Sequence, residues 1–195
     1  MIKPKHPIAF LTSAFYGAAA ILIESSHYSE CVLKFSLLFL CISSAGLHYL
    51  GESKLRDPIK EKRRSDWEIF ERTGIYAVLN SILLILLSIS FDIEPIEGLV
   101  FWFITSVLMM IFRNSLYSLG EIALYFVQIL FLVYILEFWA FIIAAIFVVA
   151  FLFRKAGSLA KKDEPYSRIG DAFHGGWHIL TALGFYLIAD TITRL

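Results

Sequence analysis

The chain has 195 residues, 58% hydrophobic, 16% aromatic and 17% charged, with 17 basic residues balancing 17 acidic ones. Soluble domains carry about 25% charge and about 45–50% apolar residues, so a water-facing surface cannot be built from this supply; disorder, collagen and a disulfide scaffold are excluded with it. Zero net charge gives no global attraction to nucleic acid, and Cys31 and Cys41, ten apart in an apolar stretch, form neither a metal-type CxxC nor a disulfide framework.

At about 20 residues per crossing, apolar runs at about 7–24, 32–50, 70–91 and 97–112 each predict one membrane helix. The first follows Lys3 and Lys5 in the manner of a signal peptide, but it is long for such an h-region and reads as a retained helix. The next run, Leu119 to Phe153, is too long for one crossing and is interrupted only at Glu137. It predicts two helices, about 118–136 and 138–153, and a last helix covers about 171–190. The expectation is an all-α, seven-transmembrane-helix bundle forming a single domain over 1–195.

With a cytoplasmic amino terminus, the loops at 51–69, 113–117 and 154–170 lie inside, and nearly every base lies there with them: Lys54, Arg56, Lys60, Lys62, Arg63, Arg64, Arg113, Arg154, Lys155, Lys161, Lys162 and Arg168, beside Lys3, Lys5 and Arg72. Only Lys34 and Arg194 lie outside, where the acids Glu24, Glu30, Asp92, Glu94, Glu97 and Glu137 collect. This positive-inside sorting supports an odd span count and an external carboxyl terminus. The basic run at 60–64 then faces anionic lipid rather than nucleic acid.

A strongly polar residue within a span costs about 2.5–3.5 kcal/mol on insertion scales, so each needs a reason. His48, with Ser44 one turn before it, lies near the inner end of the second span; Glu71 opens the third; Asp171, His174 and His178 open the seventh. Three distant stretches thus place their costly groups at one depth. His174 and His178, at i and i+4, share a helix face, and neutral imidazole is a good zinc ligand. His48 would supply a third ligand from a facing helix, and Gly175 and Gly176 would let that helix approach. Ser44 is placed to hydrogen-bond a water or an oxyanion, Glu71 to take a proton from water, and Asp171 to orient His174. An HxxxH alone arises by accident about one time in ten in a chain with five histidines; the convergence in depth singles these residues out. Elsewhere Asn80 bridges helices, Glu121 and Gln128 line the bundle interior, Trp102 and Trp139 belong to an interfacial belt, and His6 and His27 are loop or interface residues.

Ser44-Ala-Gly-Leu-His48, an acid at the start of the third span and His174-Gly-Gly-Trp-His178 resemble the pattern of the CREST superfamily: alkaline ceramidases, progestin and adipoQ receptors including the adiponectin receptors, and haemolysin III-like proteins. The stretch from Phe173 to Tyr186 looks most like the ceramidases. Phe70-Glu-Arg-Thr-Gly-Ile-Tyr76 looks more like the haemolysin III and receptor branch, which normally has Asp where this chain has Glu71, so Asp66 or Glu68 is an alternative acid. The resemblance implies zinc at His48, His174 and His178, Ser44 and the acid beside a water, and hydrolysis of a lipid amide such as ceramide. The acidic calcium-binding segment of eukaryotic alkaline ceramidases has no counterpart, since residues 1–23 contain no acid.

The leading expectation is a zinc-dependent intramembrane hydrolase of an acyl-lipid amide or ester, with membrane lipid as its partner. A receptor or regulatory protein with a structural zinc is the alternative; a channel or cytolysin is disfavoured because no helix carries a ring of repeated charges. Short loops point to a bacterial inner membrane, with endoplasmic reticulum the other compartment considered.

Overall fold

The computed structural model describes residues 5–51, 58–91, 93–111, 130, 133–164 and 166–194. They form helices and no strand: α1 Pro7–Thr12, α2 Ala14–Leu22, α3 Tyr28–Leu50, α4 Pro58–Phe91, α5 Pro95–Ile111, α6 Phe138–Asp163 and α7 Arg168–Thr193. The all-α class is therefore as expected. The predicted fifth span lies outside the described residues apart from its last turn, as do Glu121, Gln128, Asp92, Arg113, Lys54 and Arg56.

The first predicted helix is interrupted. α1 starts on Pro7, whose fixed φ suits a first helical position, and α2 follows after the single residue Ser13, whose hydroxyl donates to the Ala9 carbonyl at 2.9 Å. α3 opens on a Glu30 carboxylate that accepts the Ser26 and His27 N–H groups at 2.7 and 3.0 Å. It closes at Gly51, whose φ of +98° a side chain would oppose. The last α3 carbonyls, which helix geometry leaves without partners, are taken up by the chain's own start: the Lys5 N–H donates to Tyr49 at 3.3 Å and the His6 N–H to His48 at 3.2 Å.

Two predicted loops are largely helix. α4 begins at Pro58 rather than near residue 70, and α6 continues to Asp163, well past the end of its apolar run. Both extensions are rich in Lys, Arg, Glu, Ala or Leu, good helix formers, and the α6 extension carries a single Gly at 157. The α4 extension carries an i,i+4 ladder in which Glu68 accepts from Arg64 at 2.9 Å and from Arg72 at 2.6 Å. The helical turn at 133–136 does end at Glu137, which has a φ of 44°, before α6 starts.

α3 packs along α4, α6 along α7, and α5 on α4; α2 lies between α3 and α7, and α1 rests on both. Leu33, Leu37, Leu79, Ile82, Ile143 and Ile188 are among the buried core. Asn80 bridges helices as expected, donating to Ser106 Oγ at 3.1 Å. Trp102 is half-buried and its indole N–H donates to the Ala77 carbonyl at 2.9 Å. Large apolar side chains also cover the exterior, among them Ile21, Phe35, Phe103, Phe138 and Phe141. Tyr28–Leu50, Lys62–Phe91 and Phe138–Lys162 are long and apolar enough to cross a membrane. An exterior of this kind fits acyl chains rather than water.

Gly74 sets the closeness of α3 and α4. A Cβ there would stand 3.0 Å from the Leu40 Cα. A Gly→Ala change in open helix gains about 0.5–1 kcal/mol, but forced overlap with backbone costs about 1–3 kcal/mol. Gly74→Ala is therefore expected to lower the Tm of the detergent-solubilised protein; an unchanged or raised Tm would contradict this packing.

Candidate metal centre

His48, in the last turn of α3, meets His174 and His178 from the first turns of α7. The ring centroids form a near-equilateral triangle with sides of 4.8, 5.0 and 4.9 Å. One nitrogen from each lies within 4.8 Å of the others, so the three can hold a metal ion. Nε2 of His48 and Nε2 of His178 are 3.3 Å apart. Two nitrogens at 2.0–2.1 Å from a tetrahedral ion stand about 3.3 Å apart, so this edge already has the length that an ion requires.

The orientation of His178 is fixed by α1. Its Nδ1 lies 3.2 Å from the Ala9 carbonyl. A carbonyl only accepts, so Nδ1 carries the proton, and the neutral ring then presents its Nε2 lone pair to the cluster. That atom faces His48 Nε2 and stands 3.5 Å from Ser44 Oγ. Thr12 Oγ1 is 3.3 Å from the same Nδ1, and the Ser13 hydroxyl reaches Ser44 Oγ at 3.2 Å. Tyr16 packs against the His178 ring at 5.4 Å and joins Thr181 by a 2.8 Å hydrogen bond.

Asp171 acts on a different partner from the one expected. Its carboxylate accepts the Ile8 N–H at 2.8 Å and the Ala9 N–H at 3.1 Å, which are first-turn donors of α1 without intrahelical acceptors. It thereby sets the helix whose Ala9 carbonyl orients His178, rather than serving His174. His6, read as a loop or interface residue, is buried; its ring lies 6.3 Å from that of His48 and its Nδ1 3.8 Å from Asp171 Oδ1. His27, by contrast, is exposed at the start of α3. The predicted helix at 7–24 covers α1, but nothing in its spacing shows that its first turn meets Asp171 and His178. Pro7 at its first position is the one local signal that a helix begins there.

Of the candidate acids, Glu71 is the one that reaches the cluster, with Oε1 3.6 Å from His48 Nε2. Glu68 is held between Arg64 and Arg72, and Asp66 is exposed. Gly175 and Gly176 admit other neighbours than α3: a Cβ on Gly175 would meet Ile8 and Thr12 of α1, and one on Gly176 would meet Phe153 of α6. Lys161 of α6 brings its ammonium 3.5 Å from His174 Nδ1. Trp177 packs on the far side, 5.1 Å from the His174 ring and 5.0 Å from the His178 ring. No protein-family model matches the chain, and no curated protein matches it either.

Removing Asp171 would leave two N–H groups at the start of α1 without their acceptor, at about 1–3 kcal/mol per buried group. Asp171→Ala is expected to lower Tm and to weaken divalent-metal affinity about 10–100-fold, as loss of an orienting partner does. Asp171→Asn, which keeps one acceptor oxygen, should fall between. A metal titration that shows wild-type affinity for Asp171→Ala would separate α1 from the centre.

Proposed function

We propose that this chain is a seven-span, zinc-dependent membrane hydrolase of the CREST type, cutting the acyl amide or ester of a lipid. The carrying observation is the meeting of His48, His174 and His178, flanked by the Ser44 hydroxyl and the Glu71 carboxylate. Three neutral imidazoles suit zinc, and a catalytic zinc site commonly has three protein ligands with one position left open. A zinc ion held there would supply Lewis acidity for the carbonyl and for water.

The chain's own groups carry the rest. Glu71 takes a proton from the water that adds to the carbonyl carbon, and it returns that proton to the departing amine or alkoxide as the C–N or C–O bond breaks. Ser44 donates a hydrogen bond to the oxygen on which negative charge develops. Fatty acid and the free amine or alcohol are the products. The seven-span topology, with an internal amino and an external carboxyl terminus, is supported by the sorting of basic residues and by the apolar exterior. It puts the histidines at the inner headgroup boundary, where lipid carbonyls lie.

A second reading is favoured by one distance. The 3.6 Å between Glu71 Oε1 and His48 Nε2 is close to the ligand spacing of a tetrahedral ion, so Glu71 could close the shell of a structural zinc in a receptor or regulatory protein. Glu71→Gln separates the two. For the hydrolase, bound zinc persists while release of fatty acid from lipid amides and esters falls by about 10²–10⁴-fold, the range for a lost general base. For the structural site, zinc itself is lost and wild-type protein releases no fatty acid. Wild-type zinc content in His174→Ala would remove the foundation of both.

A further inference from the structure

A groove opens on the outer side of α3 where its last turns lie between α1 and α4. It measures about 360 Å³ and is walled by Phe10 of α1, Ala45, Gly46 and Tyr49 of α3, and Arg63 and Trp67 of α4. Ala45 and Tyr49 are i,i+4 neighbours, as are Arg63 and Trp67, so each of these helices gives the groove one face. The Phe10 and Tyr49 rings are 6.2 Å apart. Gly46 lets the Trp67 indole rest against α3, since a Cβ there would overlap the ring. Ser44 and His48 are fully buried behind this wall, whereas Ala45, Gly46 and Tyr49 are half-buried. The groove is therefore distinct from the histidine cluster.

Its position suits one kind of occupant. Tyr28–Leu50 and Lys62–Phe91 are both long and apolar enough to cross a membrane, and the two helices pack along one another. The groove takes the last turns of the first segment and the opening turns of the second, so it lies where both pass from apolar to charged sequence. Arg63 stands exposed at the charged end, and Trp67, one turn further into the apolar segment, is half-buried. Among the described residues Glu68 is taken by Arg64 and Arg72, and no acid pairs with Arg63. A guanidinium presents a fork of donors that matches phosphate oxygens. Beneath it lies an aromatic-walled apolar slot, which a hydrocarbon chain covers more favourably than water does. The volume is at the lower end of ligand clefts, roughly 300–1,000 Å³, and suits part of one acyl chain.

We propose that this groove holds an anionic phospholipid of the surrounding membrane, its phosphate on Arg63 and one acyl chain along Trp67, Tyr49 and Phe10. The assignment is independent of what the histidine cluster does, and its test reads binding alone. Full-length protein in neutral detergent is titrated with phosphatidylglycerol and, separately, with phosphatidylcholine of the same chains, and bound lipid is counted by native mass spectrometry. The first phosphatidylglycerol should half-saturate at a concentration about fivefold lower than the first phosphatidylcholine, the effect of one engaged base. Arg63→Gln should abolish this preference and Arg63→Lys should keep it. Lys62→Gln, which removes an exposed charge from the preceding position of α4, should leave it unchanged. Ala45→Phe, which puts a ring into the groove, should weaken the first site for both lipids. Equal affinity of the wild-type protein for the two lipids, a preference that survives Arg63→Gln, or equal losses in Arg63→Gln and Lys62→Gln would overturn the proposal. Wild-type binding of both lipids by Ala45→Phe would overturn it too, because the headgroup would then be held at the surface with no chain in the groove.

Discussion

The hydrogen bond from His178 Nδ1 to the Ala9 carbonyl decides what the cluster can do. An imidazole that offered its proton to the cluster would repel a cation; held in this tautomer, it offers a lone pair. The bond in turn depends on where α1 sits. α1 sits where it does because Asp171 takes its first free N–H groups and because the residues just before it donate to the end of α3. The orientation of His178 on α7 is thus set by a six-residue helix from the opposite end of the chain.

This arrangement also explains how three imidazoles can be gathered in an apolar bundle. A buried polar group costs about 1–3 kcal/mol when it has no partner, and a buried carboxylate costs far more when its charge is uncompensated. Asp171 is 3% exposed, but it accepts two backbone N–H groups at the positive end of a helix, a setting that favours a negative charge. Ser13, Ser44 and Thr12 satisfy one another or nearby carbonyls around the same point. Around His178 these polar groups form a connected set that runs from Thr12 and the Ala9 carbonyl through Ser13 to Ser44.

The all-α class, three apolar helices long enough to span and the three clustered histidines could be read from sequence, for a reason that also marks the limit. Apolar runs locate helices because a lipid-facing helix must be apolar over its full crossing, and His174 and His178 are recognisable because helix periodicity puts i and i+4 together. Where the helix leaves the apolar zone the same signal stops, although the helix does not: α6 over 154–163 is carried by propensity, and α4 over 58–69 by propensity and the Glu68 ion pairs, which hydropathy ignores. Asp171 was given to His174 for a different cause. Its partners lie more than a hundred and sixty residues away, and nothing local announces them. Gly175 and Gly176 were correctly read as close-approach sites, but spacing carries no information about which helix approaches.

The centre stands where three helix ends meet, and this is what couples it to folding. The end of α3 has carbonyls to satisfy, the start of α1 has N–H groups, and the start of α7 supplies the carboxylate. In water each end could be solvated separately. Buried within the protein, each must find protein partners, so the ends lock together, and His48, His174 and His178 are brought to one place as a consequence. Displacing α1 would expose unsatisfied groups on all three helices at once, so it cannot move independently of the site. The cluster is therefore prepared for an ion by the same hydrogen bonds that hold the bundle's ends, and the cost of collecting three ligands is met during folding rather than at binding.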